Sequence, residues 1–332
     1  MKNETTMKAC LAKEYGSFEV LEFEEVKKPT PKPQEILVKV YATTVNRTDH
    51  AILNAIPRVI GRCFSGLIRP RNPILGCEFA GEVVELGSDV TRFQLGDRVF
   101  GFNPDGFGAH AEYMLKEAEG PMALIPEGIT YEQAAASSEG AFYAYNSVNN
   151  VKLGPGVRVL VNGATGGIGS AAVQWLRHFG VETTAVCEGK HESVLKDLGA
   201  DRVVDYTTED FTEENRTYHL VFDAVGKSSF GACKRLLEPK GVYISSDLGA
   251  WGQNIFFGLF TMYSRGKKVG FPFPVNCREI ILQIKILLEA GEFNPLIDRV
   301  YSFEEMASAY EYVGKGQKIG NVVIRVDKEP VA

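Results

Sequence analysis

The spacing of apolar residues changes character along the chain. In the first third, short runs alternate apolar and polar positions. Lys8 to Ala12, Glu19 to Glu25, Glu35 to Thr43, Gly81 to Leu86 and Asp97 to Phe102 are read as strands broken by Gly and Pro turns. Few helical periods intervene, which predicts a barrel-like β domain. A helical pattern from Tyr131 to about Val151 then opens a different region. Arg158 to Asn162 is a continuous apolar run of the kind buried in parallel sheets. After it, strands at Glu182–Cys187, Arg202–Asp205, His219–Asp223, Gly241–Ser245 and Lys267–Phe271 alternate with helices at Gly169–Phe179, Glu192–Leu198 and Phe230–Leu236. That alternation predicts a doubly wound parallel sheet, an α/β architecture. The tail breaks the series. A helix over Arg278–Ala290, a strand over Ile297–Tyr301, a capping box at Ser302 to Glu305 and a last strand over Asn321–Val326 are expected to return to the first domain. The predicted division is 1–129 with 273–332, and 130–272 between them.

Composition narrows the function. Hydrophobic residues at 45% and charged residues at 23% can build two cores without staples. The net charge of −6 comes without any long Lys/Arg run, so no nucleic-acid partner is expected. Six scattered cysteines without a C-x-x-C pair fit a reducing compartment. Met1 to Thr6 is short and polar, unlike a signal peptide, and Ile255 to Met262 is too short to span a bilayer. A cytoplasmic protein without a membrane partner is the expectation.

One motif carries chemistry. Asn162-Gly163-Ala164-Thr165-Gly166-Gly167-Ile168-Gly169 sits between a predicted strand and a predicted helix. Glycines there let backbone approach a pyrophosphate, and the helix N-terminus offers free N–H groups. Against G-x-G-x-x-G, Ala164 replaces the first glycine while Gly166 and Gly169 keep the second and third. A structural glycine turn is the alternative. About twenty residues on, where an acidic residue would hold a ribose 2′-OH, stand Cys187 and then Glu188. Lys190, His191 and Tyr206 suit a 2′-phosphate, so NADPH is favoured. Glu188 argues for NADH, and Lys190 and His191 also read as an ordinary solvated loop.

Further segments point to a family. Asn46-Arg-Thr-Asp49, Pro73-Ile-Leu-Gly-Cys-Glu-Phe-Ala-Gly-Glu-Val83, Phe93-Gln-Leu-Gly-Asp-Arg-Val-Phe-Gly101, the glycine turn, Phe222-Asp-Ala-Val-Gly226 and Lys318-Ile-Gly-Asn-Val-Val323 occur in this order. From Met7 to Val326 the chain resembles the zinc-free, quinone oxidoreductase-like branch of the medium-chain dehydrogenases/reductases. The resemblance implies a GroES-like catalytic domain from both chain ends and a Rossmann domain for NAD(P). It also implies Val225 and Gly226 near the nicotinamide end and Asn321 beside the cofactor. Where zinc-dependent relatives place their catalytic ligands, this sequence places Asn46, Cys77 and Glu139, a poor set for zinc. Phe102 to Tyr113 has no Cys for a structural zinc lobe. No zinc is expected.

Without a metal, hydride acceptors need to be activated by hydrogen bonds, which suits quinones and conjugated enones. Asn46 is the candidate polar contact to substrate, or else a residue bonding its own backbone. Tyr143, on the helix leading into the cofactor domain, is a candidate to reach the cleft, with a packed helix aromatic as the more weighted alternative. Asp49 is read as structural. Ala51 to Arg71 and Trp251 to Tyr263 are candidate specificity segments, the second better explained by core packing or burial in a dimer. Reduction of a small-molecule quinone or α,β-unsaturated carbonyl by a homodimer is the leading reading. Enoyl-thioester reduction and a cofactor-binding protein without catalysis are the alternatives.

Overall fold

The computed structural model describes residues 5–56, 62, 65–103, 107–247, 253–261, 266–272 and 276–327. Arg58, Phe64, Trp251, Met262 and Tyr263, which fall within the specificity segments, lie outside these. The chain forms two compact units, one of 1–139, 277–290 and 297–332, the other of 140–276 and 291–296. The division comes later than the sequence suggests, and 130–139 belong with the first unit.

In the first unit, β1 (Thr6–Ala12) and β2 (Leu21–Lys27) form a two-stranded antiparallel sheet. β3 (Glu35–Val45) ends at helix α1 (Arg47–Leu53). β4 (Glu78–Leu86), β5 (Arg98–Phe102), β6 (Tyr113–Glu117) and β7 (Met122–Leu124) follow. Together with the last two strands of the chain they make a seven-strand sheet in which β6 pairs with β3. β3 is buried along nearly its whole length because it pairs on both edges. Its alternate side chains Ile36, Val38 and Val40 pack with Phe79, Val83 and Val99 in one core. The expected helix Tyr131–Val151 is two helices, α2 (Tyr131–Ala135) and α3 (Glu139–Val148). The break has a physical cause. Ser138 N–H and Glu139 N–H donate to the buried Glu78 carboxylate, at 3.1 and 2.6 Å, instead of continuing the first helix.

The second unit follows the expected alternation. Its strands are β8 (Arg158–Asn162), β9 (Glu182–Cys187), β10 (Arg202–Asp205), β11 (Tyr218–Asp223), β12 (Leu237–Ser245) and β13 (Lys268–Val269). Between them run α4 (Gly167–His178), α5 (Glu192–Leu198), α6 (Phe230–Cys233) and α7 (Gln253–Thr261). The sheet order is β10-β9-β8-β11-β12-β13, with every pair parallel. This is the doubly wound order with its reversal between β8 and β11, where ligands of such sheets bind. Leu160, Val186, Val221 and Tyr243 fill the core beneath it.

The tail from 277 belongs to the first unit except for 291–296, which belong to the second. α8 (Cys277–Glu289) lies in the first unit, and β14 (Ile297–Ser302) and β15 (Asn321–Arg325) complete the larger sheet by pairing β15 with β3. Ser302 opens the turn before α9 (Met306–Gly314), with Glu305 accepting its N–H at 2.8 Å.

Candidate active site

The glycine turn joins β8 to α4 at the strand-order reversal. Gly163 has φ +74, which L side chains rarely adopt, and a Cβ there would lie 2.7 Å from Val225 Cβ. At Gly169 a Cβ would come within 2.2 Å of the Gly163 carbonyl, so this helix packs on the strand only with glycine. Gly166 differs. Its Cβ would meet only the Gly163 carbonyl, at 3.5 Å, and otherwise open space. The first helical bond is made by Ser170 N–H to the Gly166 carbonyl at 2.8 Å, so the N–H groups of Gly167, Ile168 and Gly169 precede the helical ladder. Ala164 is buried, while Thr165, Gly167 and Ile168 are half-buried. A turn closed to side chains from within, open at Gly166, with first-turn N–H groups beside it, fits a dinucleotide pyrophosphate.

Val225 and Gly226 join this turn, the first through its contact with Gly163. Asp223, fully buried, holds their loop. Its carboxylate accepts N–H groups of Gly226 and Ser228 at 3.0 and 2.8 Å and the Asn162 side-chain amide at 3.0 Å. Its place at the C-terminal end of an apolar strand was the available signal for this role, and sequence reasoning did not use it.

At the end of β9, Cys187 is buried and its thiol, pushed up to about 11 chiefly by burial, donates to the Glu188 carbonyl. Lys190 Nζ pairs with Glu188 Oε2 at 2.8 Å, both side chains well exposed. His191 is half-buried before α5, and Tyr206 is exposed with its N–H bonded to the Cys187 carbonyl. A further carboxylate stands here. Asp205 is in register with Cys187, and a Cβ on Gly189 would touch its side chain at 2.3 Å. The Thr207 hydroxyl and N–H, with the Gly189 N–H, hold it below the usual carboxylate range.

The first unit gathers residues from four stretches of chain. Asn46, buried, caps α1, and its N–H donates to Asp49 Oδ2 at 2.8 Å. Its amide Nδ2 donates to Glu78 Oε2 at 2.9 Å and Asn321 Oδ1 at 3.2 Å. Asn321, at the head of β15, in turn donates to the Ala136 carbonyl. Asn46 and Asn321, predicted from opposite ends of the sequence, are therefore in contact. Glu78 takes five donors, namely the Thr44 hydroxyl, Asn46 Nδ2, the Ser138 N–H and hydroxyl, and the Glu139 N–H. Burial pushes Glu78 up, and these donors push back. Glu139 accepts from the Thr48 side chain but lacks such a set, and burial with the Glu78 and Asp49 charges holds it well above the glutamate range. Of the two neighbours, Glu78 is equipped to carry charge and Glu139 to keep a proton. Asp49 is pushed up to about 7, first by burial. Lys318 is brought down to about 8 by burial, against the pull of Glu139 and Glu78. Among the described residues, Asn46 Oδ1, Asp49 Oδ1 and Glu139 Oε1 are buried without hydrogen-bond partners.

This arrangement limits what Asn46 can do. Its N–H groups are committed, so it can offer only the Oδ1 acceptor. The three positions that answer to zinc ligands are an amide so engaged, a carboxyl that keeps its proton, and the Cys77 thiol. Burial and three neighbouring carboxyl groups push that thiol well above its ordinary range. Among the described residues no group of three or more His, Cys, Asp or Glu is arranged to hold a metal ion. Tyr143 is in the second unit, half-buried on α3 with its ring against Phe142 at 5.6 Å. Of the 51–71 segment, Leu67 and Ile68 are strongly exposed. Ile52, Pro70 and Arg71 edge a pocket of about 90 Å3, well below the size of a ligand site.

Known proteins agree with this geometry. A family model described as an alcohol dehydrogenase GroES-like domain matches residues 32–155, and one described as a zinc-binding dehydrogenase matches 198–324. The second match contains none of Asn46, Cys77 and Glu139. The 2-methylene-furan-3-one reductase of Solanum lycopersicum is 32% identical over 96% of this chain and 79% of its own length. The chloroplastic NADPH-dependent alkenal/one oxidoreductase of Arabidopsis thaliana is 27% identical over the same shares. A quinone oxidoreductase structure from Coxiella burnetii superposes with a TM-score of 0.84 at 25% identity, covering 97% of this chain and all of that one. The chain belongs to the medium-chain dehydrogenase/reductase family. Within it, the chain is a member of the quinone oxidoreductase-like group of nicotinamide-dependent oxidoreductases.

Proposed function

We propose that this protein is a zinc-independent, cytoplasmic reductase that uses NADPH to reduce a quinone or an α,β-unsaturated carbonyl. The observation that carries the reading is the Gly163–Gly169 turn, closed by packing at Gly163 and Gly169 and open at Gly166. The bound nicotinamide supplies hydride to the substrate. Gly167, Ile168 and Gly169 would hold the pyrophosphate through backbone N–H groups, and Val225 and Gly226 would border the nicotinamide end. Zinc independence rests on donor identity, since Asn46 offers only an amide oxygen at the first ligand position and Cys77 is the one soft donor of the three. Quinones and enones suit such a site because their electrophilic carbons accept hydride without a Lewis acid. Two relatives are named for reducing a methylene-furanone and alkenals or alkenones, and one of them for using NADPH.

The test is steady-state NADPH oxidation over quinones, enals, enoyl thioesters and simple aldehydes, with and without a chelator. Turnover of quinones or enals that a chelator leaves unchanged is expected. Activity confined to simple aldehydes and abolished by chelation would overturn the reading. Turnover of enoyl thioesters alone would move the substrate class, and NADPH binding without any turnover would make this a non-catalytic cofactor binder.

A further inference from the structure

Glu78 and Glu139 meet at the start of α3, and the fold treats their carboxyl groups differently. Glu78 accepts five hydrogen bonds, one of them from the Glu139 N–H itself. Its oxygens are full and its charge is provided for. The Glu139 side chain receives none of these donors. It is 3% exposed, and its Oε1 has no partner among the described residues. A buried polar atom left open in this way calls for a use. Burial, with the Glu78 and Asp49 charges, opposes the carboxylate, so the group keeps its proton.

The chain places Glu139 beside the cofactor turn. Gly140 follows it, and a Cβ on Gly140 would lie 2.8 Å from the Gly167 carbonyl and 3.5 Å from the Ile168 nitrogen. Gly167 and Ile168 carry two of the N–H groups that would hold the pyrophosphate. A second open acceptor, Asn46 Oδ1, belongs to the amide that donates to Glu78 at 2.9 Å. Lys318 is the cation that faces Glu139. Its Nζ donates to the Gly320 carbonyl and makes no ion pair among the described residues.

We propose that Glu139 is the catalytic acid that completes reduction of an α,β-unsaturated carbonyl, giving its proton to the α carbon. This rests on the reductase reading above. The β carbon takes hydride from the nicotinamide, and the C=C electrons move onto the α carbon and the carbonyl oxygen. The α carbon then takes the proton as the Glu139 O–H bond breaks toward oxygen. The substrate leaves saturated, the nicotinamide is left oxidised, and Glu139 is left as a carboxylate. Lys318 balances that charge until water returns a proton.

Glu139→Gln tests this, because it keeps the shape of the side chain and loses the acidic proton. Infrared spectra of the cofactor-free parent, at a pH about one unit above the Asp49 value, should show a carboxylic-acid band. The band should shift in D2O and be absent from the variant. With NADPH and an α-methyl enal in D2O, the parent should leave deuterium on the α carbon in one configuration. Glu139→Gln should reduce the enal about a hundredfold more slowly or worse. It should give both configurations and still bind NADPH within about twofold of the parent. Glu139→Asp restores an acid and should recover the single configuration. Absence of the acid band in the parent would overturn the proposal. So would a Glu139→Gln variant that keeps the single configuration, whatever its rate. A parent that reduces quinones and not enals would overturn the proposal and leave the reductase reading standing, whereas a parent that reduces neither would overturn both.

Discussion

The glycine turn of the second unit and the polar cluster of the first solve opposite problems. The turn makes room by having no side chains, and almost all of it lies within eight consecutive residues. The cluster fills space with polar side chains from β3 and α1, from β4, from the start of α3, and from β15. Backbone N–H groups before a helical ladder need no desolvated partner to be ready for a phosphate. Three buried carboxyl groups remain folded only if donors or protons neutralise them. The turn is thus suited to bind a group from outside, and the cluster to hold its own unit together while keeping a titratable proton.

The largest test of that contrast is Glu78→Ala. It removes the shared acceptor of five buried donors, and the unfolding free energy should fall by roughly 3–5 kcal/mol in urea titration. Glu78→Gln keeps an acceptor oxygen and should lose less. A loss below about 1 kcal/mol for the alanine variant would mean the cluster is not the unit's anchor.

Gly166→Val is the mirror experiment. Its Cβ enters open space, so stability should hold while NADPH affinity, read by fluorescence titration, falls about a hundredfold or more. Gly169→Ala should do the reverse of what is spared there, costing roughly 1–3 kcal/mol of stability through the clash with the Gly163 carbonyl. If Gly166→Val binds NADPH like the parent, the turn is not the cofactor site.

A pH experiment sharpens the cluster's side. Asp49 holds its proton to about 7 when folded, against an ordinary value of 3.8. The folded state therefore binds more protons across that window, and stability falls as pH rises from 3.8 towards 7. Asp49→Asn, which keeps an acceptor for the Asn46 N–H, should flatten this slope by up to about 4 kcal/mol in urea titrations across the window. An unchanged slope would place the proton elsewhere in the cluster.

The same contrast explains what the sequence made legible. β8, β9, α5 and β10 begin and end where their patterns predict, because each is a local apolar period closed by its own turn. The two-helix break after Ala135 was not legible, since its cause is Glu78, far away in sequence. Asn46 and Asn321 were each singled out, but their contact depends on β15 pairing with β3. Glu78 lay inside a quoted motif, yet nothing local showed that Thr44 and Ser138 would meet it. The apolar run of α7 was legible, but only the packing of Gly258 on Phe271 shows which side is outward.

The smallest effect concerns cofactor choice, at the loop where the two kinds of logic meet. On the proposed reading the backbone turn takes the pyrophosphate shared by both cofactors, so discrimination would fall to the side chains after β9. There Lys190 is paired with Glu188, and Asp205 stands beside Gly189. In the proposed NADPH binding the lysine would have two tasks, to meet the 2′-phosphate and to mask Glu188. The exposed ion pair itself is worth little, whereas a charge-assisted phosphate contact is worth roughly twice a neutral hydrogen bond. Lys190→Ala removes the contact and unmasks a carboxylate, and both effects oppose the phosphate. NADPH should therefore bind about tenfold more weakly, while NADH changes by about twofold at most. Glu188→Gln should shift preference the other way, strengthening NADPH alone. Equal losses for both cofactors in Lys190→Ala would mean the lysine only supports its loop. A parent enzyme that prefers NADH would show that Glu188 binds the ribose itself.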